Sequence, residues 1–131
     1  MTGEHSDIPV LDIVQAHFKA FNDGDVNSLM AGFSDDAVFS TGEHLVVGER
    51  GIRAMFRDAL ADLAPTLTLR AAVAQGEVVA CEITEQVTVD GVPFEFALAA
   101  FYTVRRGRIV RVKVYREGTA EPPVPDAGIV G

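Results

Sequence analysis

The fold of this chain is decided by residues 20–39, which read AFNDGDVNSLMAGFSDDAVF. Before and at the start of this stretch, apolar residues recur at intervals of three and four, as on one face of a helix: Leu11, Val14, Phe18 and Phe21. We therefore expect a helix over residues 8–22. Gly24 suits the left-handed conformation in which many helices stop, and Asp25 can cap a second helix over residues 25–32.

The remainder of the chain predicts one more helix and a run of strands. The apolar positions of residues 48–63 follow a helical period, and Pro65 ends that helix. Beyond Pro65 the period changes to two, which is typical of strands. Strands are expected to begin at residues 37–39, after Asp35 and Asp36, and to cover residues 45–47, 66–74, 77–89, 94–104 and 108–116.

The order of these elements predicts an α+β fold. Asp90 and Gly91 form a strong signal for a two-residue hairpin turn, so the strands beside them are expected to be antiparallel. A strongly bent, mostly antiparallel sheet can wrap the three helices and form a cone with a pocket at its wide end. We expect a flexible leader over residues 1–7, a single domain over residues 8–117 and a Pro-rich tail over residues 118–131.

Composition and charge limit the function. A chain of 131 residues is one domain, and its 48% hydrophobic content indicates a folded core. The formal net charge of -8 argues against nucleic acid as a partner, because nucleic acid binding needs a basic surface. Since no apolar run approaches the roughly 20 residues of a membrane helix, no membrane partner is expected.

Cys81 is the only cysteine, which excludes an intrachain disulfide and favours a reducing compartment. The N-terminal residues are polar and acidic, unlike a secretion signal. A cytoplasmic location is therefore expected. Because Cys81 lies in an apolar run, we expect a buried and inert thiol.

The candidate catalytic residue is Glu85. Alternation along residues 77–89 places it as the single charge on an otherwise apolar face, together with Val79, Cys81, Ile83, Val87 and Val89. A buried carboxylate without a partner is costly, and catalytic acids and bases arise in such surroundings. The alternative is a structural glutamate bonded to a neighbouring hydroxyl or arginine.

Three further polar residues are candidates beside Glu85. His17 borders the apolar face of the first helix, where it is either a half-buried residue without a chemical role or a donor that steadies an oxyanion. Tyr102 shares a strand face with apolar residues and offers a hydroxyl. Arg116 either closes the pocket mouth over Glu85 or a ligand carboxylate, or is solvated at the end of its strand.

Three segments together form a recognisable pattern. They are FxDDAVF at residues 33–39, GxxxIxxMF at residues 48–56, and RGRI at residues 106–109 leading into VYRE at residues 114–117. This pattern resembles the nuclear transport factor 2-like superfamily, in its SnoaL-like and ketosteroid isomerase-like branch. The resemblance covers about residues 8–117 and implies the cone fold. These segments are fold markers, so they do not define a reaction.

The catalytic positions of better-known members are only partly kept. Set against ketosteroid isomerase, the oxyanion-binding tyrosine falls on His17, the catalytic aspartate on Thr41 and the second aspartate on Ala100. Set against limonene epoxide hydrolase, the Asp-Arg-Asp triad falls on Glu85, Ile83 and Val114. SnoaL-like cyclases use a single aspartate as acid and base, and the resemblance implies that Glu85 can take such a role from a different position.

Two functions remain open from the sequence. The first is a cofactor-free and metal-free enzyme that performs acid–base chemistry on a small apolar molecule bearing a carbonyl or an epoxide, with Glu85 and His17 as catalytic residues. The second is a non-catalytic ligand-binding or dimerisation module of the same fold. The expected substrate-binding residues are Phe18, Phe21, Phe39, Thr41, Phe56, Ile83, Phe96, Leu98, Tyr102, Val114 and Arg116.

A homodimer through the outer face of the sheet is the expected assembly. Phe101 and Ala99 lie on the face opposite the predicted pocket, and an exposed aromatic patch on a sheet usually marks a partner surface. Superfamily members that the chain resembles commonly pair there.

Overall fold

The computed structural model describes residues 9–117. The leader over residues 1–7 and the Pro-rich tail over residues 118–131, both expected from the sequence, lie outside the described residues. The described chain contains three helices and six strands. In chain order they are α1 (Val10–Asn22), α2 (Val26–Ala31), β1 (Phe33–Thr41), β2 (His44–Val47), α3 (Glu49–Asp62), β3 (Thr66–Gln75), β4 (Val78–Val89), β5 (Val92–Arg105) and β6 (Arg108–Arg116).

The break between the first two helices follows from local chemistry. Gly24 has a φ of +70°, a conformation that costs glycine little. Asp25 then caps α2: its Oδ1 accepts the backbone N–H of Ser28 at 3.1 Å, and its Oδ2 accepts the Ser28 hydroxyl at 2.7 Å. The helix stop and the cap expected from the sequence are therefore both confirmed.

Strand β1 begins at Phe33, four residues before the predicted start. Phe33 lies beside Ile109 of β6, whose N–H donates to the carbonyl of Gly32 at 2.8 Å. The register shifts between Phe33 and Val38, so the polar residues 34–36 occupy an irregular stretch inside the strand. The strand start expected at residues 37–39 is therefore wrong by four residues, because the strand that pairs with Phe33 is distant in sequence.

The six strands form one sheet in the order β2-β1-β6-β5-β4-β3. Within the described chain, β1 and β6 run parallel and the other neighbouring pairs run antiparallel. Asp90 and Gly91, with φ of 52° and 78°, join β4 to β5 as the predicted tight hairpin turn. The mostly antiparallel sheet expected from the sequence is confirmed.

The curled sheet wraps the helices and divides its residues into two faces. The buried core combines helix residues with alternate strand residues, including Val14, Leu29, Ile52, Val79, Ile109 and Val112. The opposite face of the sheet exposes Phe101 and Tyr115, whose ring centroids lie 5.9 Å apart. The architecture is thus the α+β cone that the order of elements predicts.

A side chain of α1 fixes the edge of the sheet to the helices. The amide of Asn22 bonds the backbone of Leu67 on β3 in both directions: its Nδ2 donates to the Leu67 carbonyl at 2.9 Å, and its Oδ1 accepts the Leu67 N–H at 2.8 Å. Asn22 therefore takes the place of a neighbouring strand at this point of β3.

Candidate functional site

A cavity of about 190 Å³ lies between the helices and the concave face of the sheet. Eleven of the thirteen residues proposed from the sequence line it, and they come from six different elements. They are His17 and Phe21 of α1, Phe39 and Thr41 of β1, Phe56 of α3, Ile83 and Glu85 of β4, Leu98 and Tyr102 of β5, and Val114 and Arg116 of β6. We call this space the inner cavity.

The other two proposed residues lie elsewhere. Phe96 lines a wider opening of about 500 Å³, which we call the vestibule. The two spaces meet at the residues that line both of them: Thr41, Ala59, Pro65, Glu85 and Arg116. Phe18 is not among the lining residues of either space: it is buried in the core, with its ring centroid 5.4 Å from that of His17 and 5.8 Å from that of Tyr102.

Several lining residues were not proposed from the sequence. In the inner cavity these are Met55, Ala59, Pro65, Leu67 and Ala100. Met55 and Ala59 lie on the apolar face of the third helix, and Ala100 alternates with Leu98 and Tyr102, so periodicity marks them as inward-facing. The vestibule adds Gly42, Glu43, His44, Asp62, Leu63 and Val87. Most of these belong to a turn and a helix end, which only the folded chain brings together.

Glu85 and Arg116 form an ion pair at the junction of the two spaces. Glu85 lies opposite Phe96 of β5, and Arg116 of β6 lies opposite Leu98 of the same strand. The backbones of β4 and β6 are therefore about 10 Å apart, twice the usual strand spacing. The Arg116 side chain crosses β5, and its Nη1 donates to Oε1 of Glu85 at 2.9 Å.

Water reaches this ion pair only in part. The side chain of Glu85 is 14% exposed and that of Arg116 is 27% exposed. Of the alternatives left open by the sequence for Arg116, the structure has the one in which its guanidinium lies over Glu85. Charge compensation of this kind allows a carboxylate to remain on an apolar face.

His17 lies in a cluster of aromatic rings. Its ring centroid is 5.2 Å from that of Tyr102, 5.5 Å from Phe33 and 6.1 Å from Phe56. Among the described residues, its Nδ1 is the one fully buried side-chain nitrogen or oxygen atom without a hydrogen-bond partner. Burial lowers the pKa of His17 from 6.5 to about 4, so the imidazole is neutral at pH 7.

Tyr102 and Cys81 are also held in their neutral forms. Burial, with a further contribution from Cys81, raises the pKa of the Tyr102 hydroxyl above its ordinary value of 10. Burial raises the pKa of the Cys81 thiol from 9.0 to about 11. The Cys81 thiol is thus poorly suited to act as a nucleophile at neutral pH, which agrees with the buried, inert thiol expected from the sequence.

The described residues do not contain a group of three histidine, cysteine, aspartate or glutamate side chains that could hold a metal ion. Nor does any helix between residues 9 and 117 have the length and apolar character to cross a membrane.

The polar groups that line the inner cavity are Glu85, Arg116, His17, Tyr102 and Thr41. They include a carboxylate, a guanidinium and neutral groups that can donate hydrogen bonds.

Three helices inside a curled, mostly antiparallel sheet define the class of cone-shaped α+β proteins typified by nuclear transport factor 2. The SnoaL-like domain matches residues 14–112, and the chain belongs to this family. This confirms the family resemblance found in the sequence. No curated protein is similar enough to be matched with the chain.

Solved structures share the fold. A hypothetical protein with a ketosteroid isomerase-like fold from Catenulispora acidiphila, in complex with trimethylamine, has a TM-score of 0.73 and 21% identity, over 79% of this chain and 84% of that chain. An LEH-like epoxide hydrolase of M. tuberculosis has a TM-score of 0.76 and 21% identity, over 82% of both chains. The epoxide hydrolase/cyclase-like enzyme SalBIII, with a role in pyran ring formation in polyether salinomycin, has a TM-score of 0.77 and 19% identity, over 83% of this chain and 91% of that chain.

Proposed function

We propose that this protein is a cofactor-free and metal-free acid–base enzyme that acts on a small apolar carbonyl compound in the inner cavity. The observation that carries the proposal is that Glu85, His17 and Tyr102 all line one mostly apolar space. A single carboxylate without other proton-active groups would favour a binding protein. A carboxylate with two neutral donors in the same cavity favours proton transfer.

Glu85 is the proposed general base. Its position at the junction of cavity and vestibule puts the carboxylate beside a substrate whose apolar part fills the inner cavity. Removal of a proton from the carbon next to a carbonyl leaves negative charge on the carbonyl oxygen. A positioned carboxylate typically contributes about 100-fold to 10,000-fold to the rate of such a step.

His17 and Tyr102 are the proposed donors to that oxygen. A neutral imidazole donates from one ring nitrogen and a neutral phenol donates from its hydroxyl, so both can stabilise a developing oxyanion. The lowered pKa of His17 supports this role, because the imidazole is then neutral at pH 7 and keeps one N–H group that can donate a hydrogen bond. Its buried Nδ1 has no acceptor, which favours the tautomer with the proton on Nε2.

Two of the structural neighbours have names that support proton-transfer chemistry. One is an epoxide hydrolase and the other takes part in forming a pyran ring. Epoxide hydrolysis requires groups that give and take protons. Epoxide opening is thus the closest alternative chemistry for the same residues.

A second function has one observation in its favour. The bond between Arg116 and Glu85 satisfies the carboxylate within the protein, as a structural ion pair would. In that case the cavity binds a ligand without reacting with it. The first function requires Glu85 for a reaction, whereas the second involves binding alone.

Exchange of hydrogen for deuterium tests the proposal without knowledge of the natural substrate. The protein is incubated in D₂O with apolar ketones such as 2-tetralone, and proton NMR follows the loss of the hydrogens next to the carbonyl. We expect the wild type to accelerate exchange and Glu85→Gln to lower the rate at least about 100-fold. His17→Phe should lower it by a comparable factor, since loss of one oxyanion donor costs about 100-fold to 1,000-fold.

Glu82→Gln is the matched control, because Glu82 lies on the same strand with its side chain on the exposed face. This variant should exchange protons as fast as the wild type. Equal rates for Glu85→Gln and the wild type would contradict the proposal. Ketones that bind without any accelerated exchange would favour the binding function.

We further propose that the protein is a cytoplasmic homodimer that pairs through the outer face of its sheet. The exposed pair of Phe101 and Tyr115 supports the interface, because two adjacent aromatic rings on a sheet form an apolar patch. The single cysteine supports the reducing compartment.

A further inference from the structure

Arg116 is the one positively charged side chain among the residues that line the inner cavity. Its guanidinium has five N–H donors. Among the described residues it makes a single hydrogen bond, to Oε1 of Glu85 at 2.9 Å. Arg116 lines both the inner cavity and the vestibule, so a ligand in either space lies beside its side chain.

The ion pair restrains the proposed base. While Oε1 of Glu85 accepts a hydrogen bond from the guanidinium, that oxygen is less available to take a proton from a substrate. Catalysis by Glu85 therefore improves when Arg116 is drawn to another acceptor. A negatively charged group on the substrate would provide that acceptor and leave Oε1 of Glu85 free to take the proton.

We infer that the substrate carries a single carboxylate, which binds the guanidinium of Arg116 at the junction while its apolar body fills the inner cavity. The catalytic consequence, release of Glu85 from the ion pair, rests on the proposed function. A carboxylate matches the planar fork of a guanidinium and forms two parallel hydrogen bonds with it.

The charges around the vestibule restrict the anion to one negative charge. Glu43 and Asp62 line the vestibule together with Glu85. Three carboxylates at the opening repel a ligand with several negative charges, such as a phosphate monoester. The anion must then lie against Arg116 itself, and the rest of the molecule must be uncharged.

Binding of two isosteric compounds tests this inference without any need for turnover. The probes are 3-phenylpropionate and its neutral amide, 3-phenylpropionamide, titrated by ligand-observed NMR. We expect the wild type to bind the carboxylate at least about tenfold more tightly than the amide, which is the range of one charge-assisted bond. Arg116→Gln should abolish this preference and leave the affinity for the amide within about twofold.

Changes at Glu85 give the opposite result. Glu85→Gln removes the internal competitor for Arg116 and a like charge, so it should tighten binding of the carboxylate several-fold while catalysis is lost. Arg57→Gln, on the exposed surface of α3, is the control and should bind both probes as the wild type does. If Arg116→Gln fails to fold because Glu85 is left alone, the Glu85→Gln, Arg116→Gln double variant removes both charges and should prefer the amide.

The outcomes separate this inference from the proposed function. A carboxylate preference that depends on Arg116 upholds it even if no ketone exchanges its protons. Equal affinities for the two probes in the wild type, a preference that survives Arg116→Gln, or failure of both probes to bind would overturn it. Exchange of neutral ketones without any carboxylate preference would uphold the proposed function and overturn this inference alone.

Discussion

The imidazole of His17 meets the ring of Tyr102 edge to face, with their centroids 5.2 Å apart. Each ring supplies a polar atom to a cavity whose other walls are mostly apolar. The same burial that makes these groups suitable as neutral donors has a cost for the stability of the fold. That cost depends on pH, because the imidazole must stay uncharged in the folded protein.

In mild acid, His17→Phe should lose less stability than the wild type does. The folded pKa of His17, about 4, lies below the 6.5 of an exposed histidine, so the unfolded chain takes up the proton first as the pH falls. The contribution of the neutral His17 side chain to the free energy of unfolding is then fully present above pH 6.5 and is lost progressively down to pH 4. Urea unfolding should show that the wild type loses about 2 kcal/mol more than His17→Phe between pH 7.5 and pH 5.

The comparison isolates His17 because the two chains differ at this residue alone. An equal loss of unfolding free energy in the wild type and in His17→Phe would show that His17 does not stay neutral in the folded protein. The wild type and His17→Phe should have the same circular dichroism spectrum and the same amide exchange rates at pH 7.5, since phenylalanine preserves the aromatic cluster.

Asn22→Ala should destabilise the fold although the side chain is exposed. The two hydrogen bonds between Asn22 and the backbone of Leu67 are lost together, at about 0.5–1.5 kcal/mol each. The higher helix propensity of alanine offsets part of the loss. We expect urea unfolding to show a net decrease of about 1–2 kcal/mol.

Asn27→Ala is the matched control for this prediction. Asn27 accepts one exposed hydrogen bond, from Arg53 at 2.9 Å, and bonds no strand backbone. Its replacement should change the free energy of unfolding by less than about 0.5 kcal/mol. If the two variants were equally stable, Asn22 would not hold β3 against the helices.

Light scattering at tens of micromolar should give twice the chain mass of 14.0 kDa. Phe101→Glu should yield the monomer, because a charge on the outer face would be buried without a partner. Val92→Glu is the control: Val92 is also exposed but lies nine residues away, about 30 Å along β5. A wild-type mass near that of one chain would contradict the dimer.

The sequence predicts most of this fold because its two periods are clear. Alternation along β4 separates Glu85 and its apolar neighbours from Glu82 on the other face, and the helical stripe of α1 places Phe21 inward. Pairings between distant segments carry no such local signal. The early start of β1 depends on pairing with Ile109 of β6, and the polar residues 34–36 do not show the alternating apolar pattern of a strand.

In the candidate site, too, local periodicity predicts some features and distant pairings determine the others. Parity places Glu85 and Arg116 on the inner face of the sheet, but their bond depends on the register of two strands that flank a third. The vestibule residues Glu43, His44 and Asp62 follow no period at all. They come together only because the turn after β1 and the end of α3 meet in the folded chain.

The two hydrogen bonds between Asn22 and the backbone of Leu67 also bear on how this protein avoids aggregation. Strand β3 lies at the edge of the sheet, and an open edge offers free N–H and C=O groups to which a strand of another molecule can add. At Leu67 both groups are already taken by Asn22, and the register shift between Leu69 and Ala71 interrupts the regular ladder beyond it. One amide side chain thereby protects the β3 edge of the sheet, at Leu67, from pairing with a strand of another molecule.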